Sequence, residues 1–93
     1  MSKVTLHGHI VVSDNDISAV QAELPKHIEL TRQEDGCLVF QVTQDPERKN
    51  IFNVYEEFID SDAFDIHQAR VKSSRWGQVT LNVERHYAIR EDS

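Results

Sequence analysis

The chain has 93 residues, a formal net charge of -6 at neutral pH and a hydrophobic content of 39%, enough for a single domain, 1–93, with limited burial of its own. Ten Lys and Arg against sixteen Asp and Glu leave no basic surface for a nucleic acid or an anionic membrane, so neither is expected as a partner. A small molecule and a second copy of the chain, giving a homodimer, are the expected partners.

Residues 4–12, VTLHGHIVV, alternate strictly and predict a strand with Val4, Leu6, Gly8, Ile10 and Val12 on one side. SDND at 13–16 has the spacing of a capping box, with Ser13 as N-cap and Asp16 three residues on. Ile17, Val20, Leu24, Ile28 and Thr31 then fall on one helical face. Pro25 predicts a kink or a restart, because a proline in a helix interior costs about 3 kcal/mol. Gly36 in EDGCLVFQVTQD, 34–45, is the expected C-cap, followed by a second strand. DPERKN is a turn with Pro46 at its second position, and IFNVYEEFI, 51–59, is the third strand of a hairpin. Ser61 is expected to cap a second helix that runs through His67 to about Trp76, with Gly77 closing or bending it. TLNVERHYAI is the last predicted strand, and the tail REDS is expected to fray.

The order strand, helix, strand, strand, helix, strand predicts an α+β, ferredoxin-like βαββαβ fold. One antiparallel sheet carries both helices on one face, and its other face is left bare for association. The longest apolar runs fall far below the roughly 20 residues of a membrane span. With no leader pattern and one cysteine, Cys37, a reducing, cytoplasmic setting is expected.

His67 shares the helix stripe of Phe64 and Val71, so its imidazole is aimed at the sheet. It is either an acid–base group in a pocket or a histidine tying helix to strand by one hydrogen bond. Glu56 alternates with Phe52, Val54 and Phe58, and a carboxylate among aromatics needs a partner, for which His67 and Arg85 are available. It either orients His67 and raises its pKa or fastens strand to helix. Phe40, Phe58, Phe64 and Trp76 are candidate substrate-binding walls, although most aromatics at this composition must be core.

His7, His9, Glu84 and His86 could converge on the bare face of neighbouring strands, in a pattern that also suits a metal. Polar side chains inside or at the rim of a shared barrel are the favoured reading, with no metal, and would make dimer stability depend on pH between 5 and 8. Cys37 has no adjacent base and is expected to be a small filler. No phosphate loop, Ser-His-Asp arrangement or dinucleotide fingerprint occurs, which fits a reaction without a cofactor, or no reaction.

The stretch EDGCLVFQVTQDPERKNIFNVYEEFIDSDAFDIH, through Gly36 and Cys37, Tyr55 and Glu56, and Ala63, Phe64 and His67, resembles the antibiotic biosynthesis monooxygenase domains. The resemblance covers the chain in element order and residues 34 to 67 in motif. It implies a dimeric α+β barrel, two sheets back to back, with a pocket in each subunit between its own sheet and helices. Relatives of this kind include cofactor-free quinol or anthrone monooxygenases, a sugar-phosphate isomerase and heme-degrading enzymes. The resemblance therefore implies a cofactor-independent monooxygenase of a small aromatic or quinol-type substrate, with His67 as catalytic base and Glu56 as its partner. The alternatives are a non-catalytic protein that binds a small hydrophobic molecule, and an isomerase of a small carbonyl metabolite that uses Lys72 and Arg75. Lys72 and Ser73 stand where relatives often carry His-Phe, and Gly8 and His67 stand where the heme-degrading branch carries asparagine and tryptophan.

Overall fold

The computed structural model describes residues 2–92. Its elements are β1 (Val4–Val11), a single 3₁₀ turn (Asp14–Asp16), α1 (Ile17–Arg32), β2 (Cys37–Gln44), β3 (Ile51–Phe58), α2 (Ser61–Ser73), α3 (Arg75–Val79) and β4 (Glu84–Glu91). The four strands form one antiparallel sheet in the order β2-β3-β1-β4, which is the ferredoxin-like arrangement expected from the alternation. Among the described residues no helix is long and apolar enough to cross a membrane.

Strand parity decides what each face carries. Leu6, Ile10, Phe52, Val54, Phe40 and Val42 turn toward α1 and join Val12, Ile17, Val20 and Val83 in one contiguous core. On the opposite face His7, Gln41, Thr43, Asn53 and His86 are exposed. A register shift between Cys37 and Val39 leaves Leu38 without a ladder partner and 53% exposed, the local cost of a bulge.

Several expected boundaries move, each for a local reason. Ser13 gives its hydroxyl to the Asp16 carboxylate at 3.1 Å instead of capping backbone, and a 3₁₀ turn precedes α1. Pro25 neither kinks nor restarts α1, which is continuous from Ile17 to Arg32; Pro25 and Gln21 are both exposed, so water can replace the donor that the Gln21 carbonyl loses. Gly36 is not a C-cap, since Gln33 ends the helix. A Cβ on Gly36 would lie 2.2 Å from Ala63 Cβ, so this glycine lets the start of α2 approach β2.

The N-cap of α2 is Asp60, whose carboxylate accepts from Ala63 N at 2.8 Å, and Ser61 is the first helical residue. α2 stops at Ser73 rather than Trp76, because extended Ser74 caps α3 by accepting from Gly77 N at 3.1 Å. Thr80 to Asn82 make a turn, not the start of the last strand, with the Thr80 hydroxyl donating to Trp76 O at 2.7 Å. The tail is paired as far as it is described: Arg90 and Glu91 face Thr5 and Val4, and Asp92 N donates to Lys3 O.

Gly8 is the one residue of positive φ, at 150°, among those described. A Cβ there would lie 1.9 Å from the His86 carbonyl oxygen, a backbone atom that cannot step aside without parting β1 from β4. Gly8→Ala is therefore expected to destabilise the fold by on the order of 3 kcal/mol. A urea midpoint within error of the parent would show that the two strands can separate freely at this point.

Candidate functional site

Between the sheet and the helices, at the β1–β4 side, lies a cavity of about 170 Å³. Leu6 and Ile10 of β1, Glu56 of β3, and Arg85 and Tyr87 of β4 line it from the sheet; His27 of α1, His67 and Val71 of α2 and Trp76 of α3 line it from the helices. It exists because α1 and α2 cover β2 and β3 but leave β4 open: every residue of β4 is exposed.

His67 is 2% exposed and lies between two carboxyl groups. Its Nδ1 is 3.1 Å from Glu34 Oε1, and its Nε2 is 3.8 Å from Glu56 Oε1. Glu34 is itself held by Arg70, whose Nε donates to Oε2 at 2.5 Å and whose other arm donates to the Thr31 hydroxyl at 2.8 Å. A carboxylate only accepts, so the proton of neutral His67 sits on Nδ1 and its Nε2 presents a lone pair beside Glu56. The sequence offers His67 or Arg85 as the partner of Glu56; Glu56 Oε1 comes only to 3.8 Å from His67 and makes no hydrogen bond, and His67 donates instead to Glu34, 33 positions away in the chain. Arg85 uses its guanidinium on Thr80 O at 2.9 Å.

The electrostatics follow from burial. Glu56, 7% exposed, has its carboxyl pushed up to about 7, first by desolvation and then by the charge of Glu34. Burial lowers the pKa of His67 and, together with the charge of Arg70, outweighs the charge and hydrogen bond of Glu34 that raise it. A second histidine, His27, is driven down to about 3 by burial and then by His67 and Arg70, and is neutral at any ordinary pH. Its ring stacks on Trp76 at 4.6 Å and meets Phe40 edge-on at 5.2 Å. The Tyr87 phenol is pushed up to about 12, by burial and then by Glu56, and so stays protonated.

Of the four aromatic side chains expected as walls, Trp76 lines the cavity. Phe40 and Phe58 stand behind it and brace His67 at 5.7 and 4.9 Å, and Phe64 packs on Phe58 at 5.7 Å. Phe40 and Phe58 are core because the helices cover β2 and β3 at those positions, and Phe64, on α2, is partly buried against them. Lys72 and Arg75 are exposed and do not line the cavity, which leaves Arg85 as the cation bordering it. His27 was overlooked in the sequence although it lies three residues from Leu24 and four from Thr31 on the buried stripe; that spacing was the available signal. Glu34 offered none, since it lies in the connection between α1 and β2, outside any periodic pattern.

On the bare face His9 and His86 stack at 4.8 Å, and Glu84 lies 3.3 Å from His86. His7 pairs instead with Tyr55 and Ala88, so only part of the expected convergence forms. Among the described residues no group of three or more His, Cys, Asp or Glu is arranged to hold a metal ion. Cys37 is half-buried, packs against the core, and has its thiol pKa raised by burial and by Glu34 and Glu56, the opposite of what a nucleophile needs.

Comparison with known proteins agrees with this architecture. A family model described as antibiotic biosynthesis monooxygenase matches residues 4–78. A search of curated proteins finds no match. Among solved structures, an antibiotic biosynthesis monooxygenase is 21% identical with a TM-score of 0.69, covering 100% of this chain and 97% of that one. A conserved protein of unknown function from Bacteroides thetaiotaomicron, described as a possible oxidoreductase, is 15% identical with a TM-score of 0.75 over 97% of each chain. A conserved protein from Methanosarcina mazei is 20% identical with a TM-score of 0.71, covering 98% of this chain and 91% of that one. At these identities the solved structures establish a shared fold.

Proposed function

The chain belongs to the antibiotic biosynthesis monooxygenase family, and from that premise we propose that it is a cofactor-independent monooxygenase of a small quinol-type aromatic. The observation that carries this reading is the buried His67 imidazole, fixed by Glu34 on one nitrogen and open toward Glu56 and the cavity on the other. Oxygenation without a cofactor needs a base in an apolar enclosure, because the deprotonated quinol is the electron donor to oxygen. For a hydroquinone, one oxygen atom enters the ring and the other leaves as water, and the substrate supplies all four electrons as it becomes a hydroxyquinone.

In this reading His67 Nε2 removes the hydroxyl proton, and Glu34, secured by Arg70, is a positioning residue that holds the tautomer and stabilises the imidazolium. Glu56 in its protonated form, which burial favours, donates to the oxygen of the same hydroxyl: its Oε1 and His67 Nε2 lie 3.8 Å apart, a spacing that one hydroxyl oxygen at about 2.8 Å from each can bridge. Trp76, Leu6 and Ile10 exclude water. Oxygen uptake with a panel of quinols tests the reading, and no uptake with any of them would sink it. A binding protein on the same fold would show ligand-induced thermal stabilisation with the ligand recovered unchanged.

We further infer that two copies associate through the bare sheet face, as the family fold implies, in the reducing cytoplasm that a lone thiol suits. Sedimentation at micromolar concentration should report a dimer, with a dissociation constant that changes between pH 5 and 8, because the stacked His9 and His86 lie on that face. A monomer throughout would contradict this.

A further inference from the structure

We propose that the cavity takes a single-ring benzenediol, one hydroxyl seated between His67 and Glu56 and the other served by His27. The inference rests on the quinol reading above and narrows it to ring size and to a second recognition group. Two independent observations carry it. The first is volume: an engineered apolar cavity of about 150 Å³ takes up one benzene ring, and the cavity here is about 170 Å³. A ring bearing two hydroxyls fits that space, whereas a second fused ring exceeds it and, with Trp76, Val71, Leu6 and Ile10 in place, has to project toward the open β4 side.

The second observation is chemical. Glu56 Oε1 and His27 Nδ1 are the two buried side-chain polar atoms left without a hydrogen-bond partner among the described residues, and both residues line this one cavity. Leaving such atoms unpaired is costly, so two in one pocket mark places where a ligand supplies what the protein does not. They belong to opposite walls, Glu56 to the sheet and His27 to α1, so one substituent on a ring engages one of them and a second substituent the other. His27 is held flat against Trp76, 5° from parallel, so its ring plane is fixed in advance and little freedom is lost on binding. As a neutral imidazole it can donate to or accept from a hydroxyl without bringing a charge into the pocket.

The test is anaerobic binding, which is independent of turnover. Hydroquinone and 1,4-dihydroxynaphthalene are titrated against the full chain by calorimetry, alongside His27→Phe and His27→Gln variants whose folding is checked by circular dichroism. Hydroquinone should bind at least tenfold more tightly than the naphthalene diol. His27→Phe, which keeps the stack on Trp76 but no nitrogen, should weaken hydroquinone on the order of tenfold, and His27→Gln should recover part of the loss. Equal or tighter binding of the two-ring diol, or unchanged hydroquinone affinity in both variants, would overturn the proposal whatever the oxygen-uptake result. Selective hydroquinone binding without oxygen uptake would uphold it and defeat the monooxygenase reading alone.

Discussion

Replacing His67 by alanine is expected to lower quinol-dependent oxygen consumption by roughly 10²–10⁴-fold, the range for loss of a positioned acid–base group. The variant keeps the Arg70–Glu34 pair, and Phe40 and Phe58 still close the core behind it, so the loss should exceed any change in the folded fraction at 25 °C. Free imidazole added at millimolar concentration should restore part of the rate through the space left by the side chain. Glu34→Gln is the informative companion: its amide oxygen can still accept from Nδ1–H, its NH2 gives up the bond from Arg70 Nε, and the negative charge that raises the pKa of His67 is gone. The basic form of His67 should then persist to lower pH, and the acidic limb of the kcat/KM profile should move down. A His67→Ala rate equal to the parent, or a Glu34→Gln profile unmoved, would show that the imidazole ties helix to sheet and does not handle the substrate proton.

How much of this site the sequence disclosed depends on which physical rule placed each group. His67 and Glu56 were legible because each breaks a pattern: an imidazole on the Phe64–Val71 stripe of a helix, and a carboxylate alternating with Phe52, Val54 and Phe58 on a strand. Periodicity fixes the face of a residue on a regular element, and both predicted faces meet at the cavity. It says nothing about a connection, so Glu34, which supplies the actual hydrogen bond, could not be read from spacing. Phe40 and Phe58 carry the correct face but not the correct depth, because depth depends on which part of the sheet the helices cover. The break at Ser74, which brings Trp76 onto His27, comes from a serine that caps as readily as it sits inside a helix, and sequence alone does not choose between those roles.

Between pH 4 and 9 the stability of the native chain is expected to change less than that of either of two single variants. The Glu56 carboxyl has an ordinary value of 4.5 and is raised to about 7 by folding. An acid raised in this way contributes stability that is full below pH 4.5 and is lost as pH rises through 7, since the unfolded chain releases the proton first; the loss is about 3 kcal/mol. The sign for His27 is reversed. Its pKa falls from 6.5 to about 3 on folding, so its contribution is present above pH 6.5 and lost as pH falls through 3, and His67 is shifted in the same direction. Between pH 4.5 and 6.5 the two contributions run against each other, which flattens the native curve. Glu56→Gln removes one side of that balance: relative to pH 4, its stability should climb to about pH 6.5 and then stay level, exceeding the parent's own change above pH 7. His27→Phe removes much of the other side, and its stability should fall between pH 4.5 and 7. Equilibrium urea unfolding at one fixed protein concentration measures all three curves. A parent curve with the same shape as Glu56→Gln would mean that Glu56 ionises in the folded chain as it does in water, and a carboxyl so well solvated could not share a dry cavity with the substrate hydroxyl.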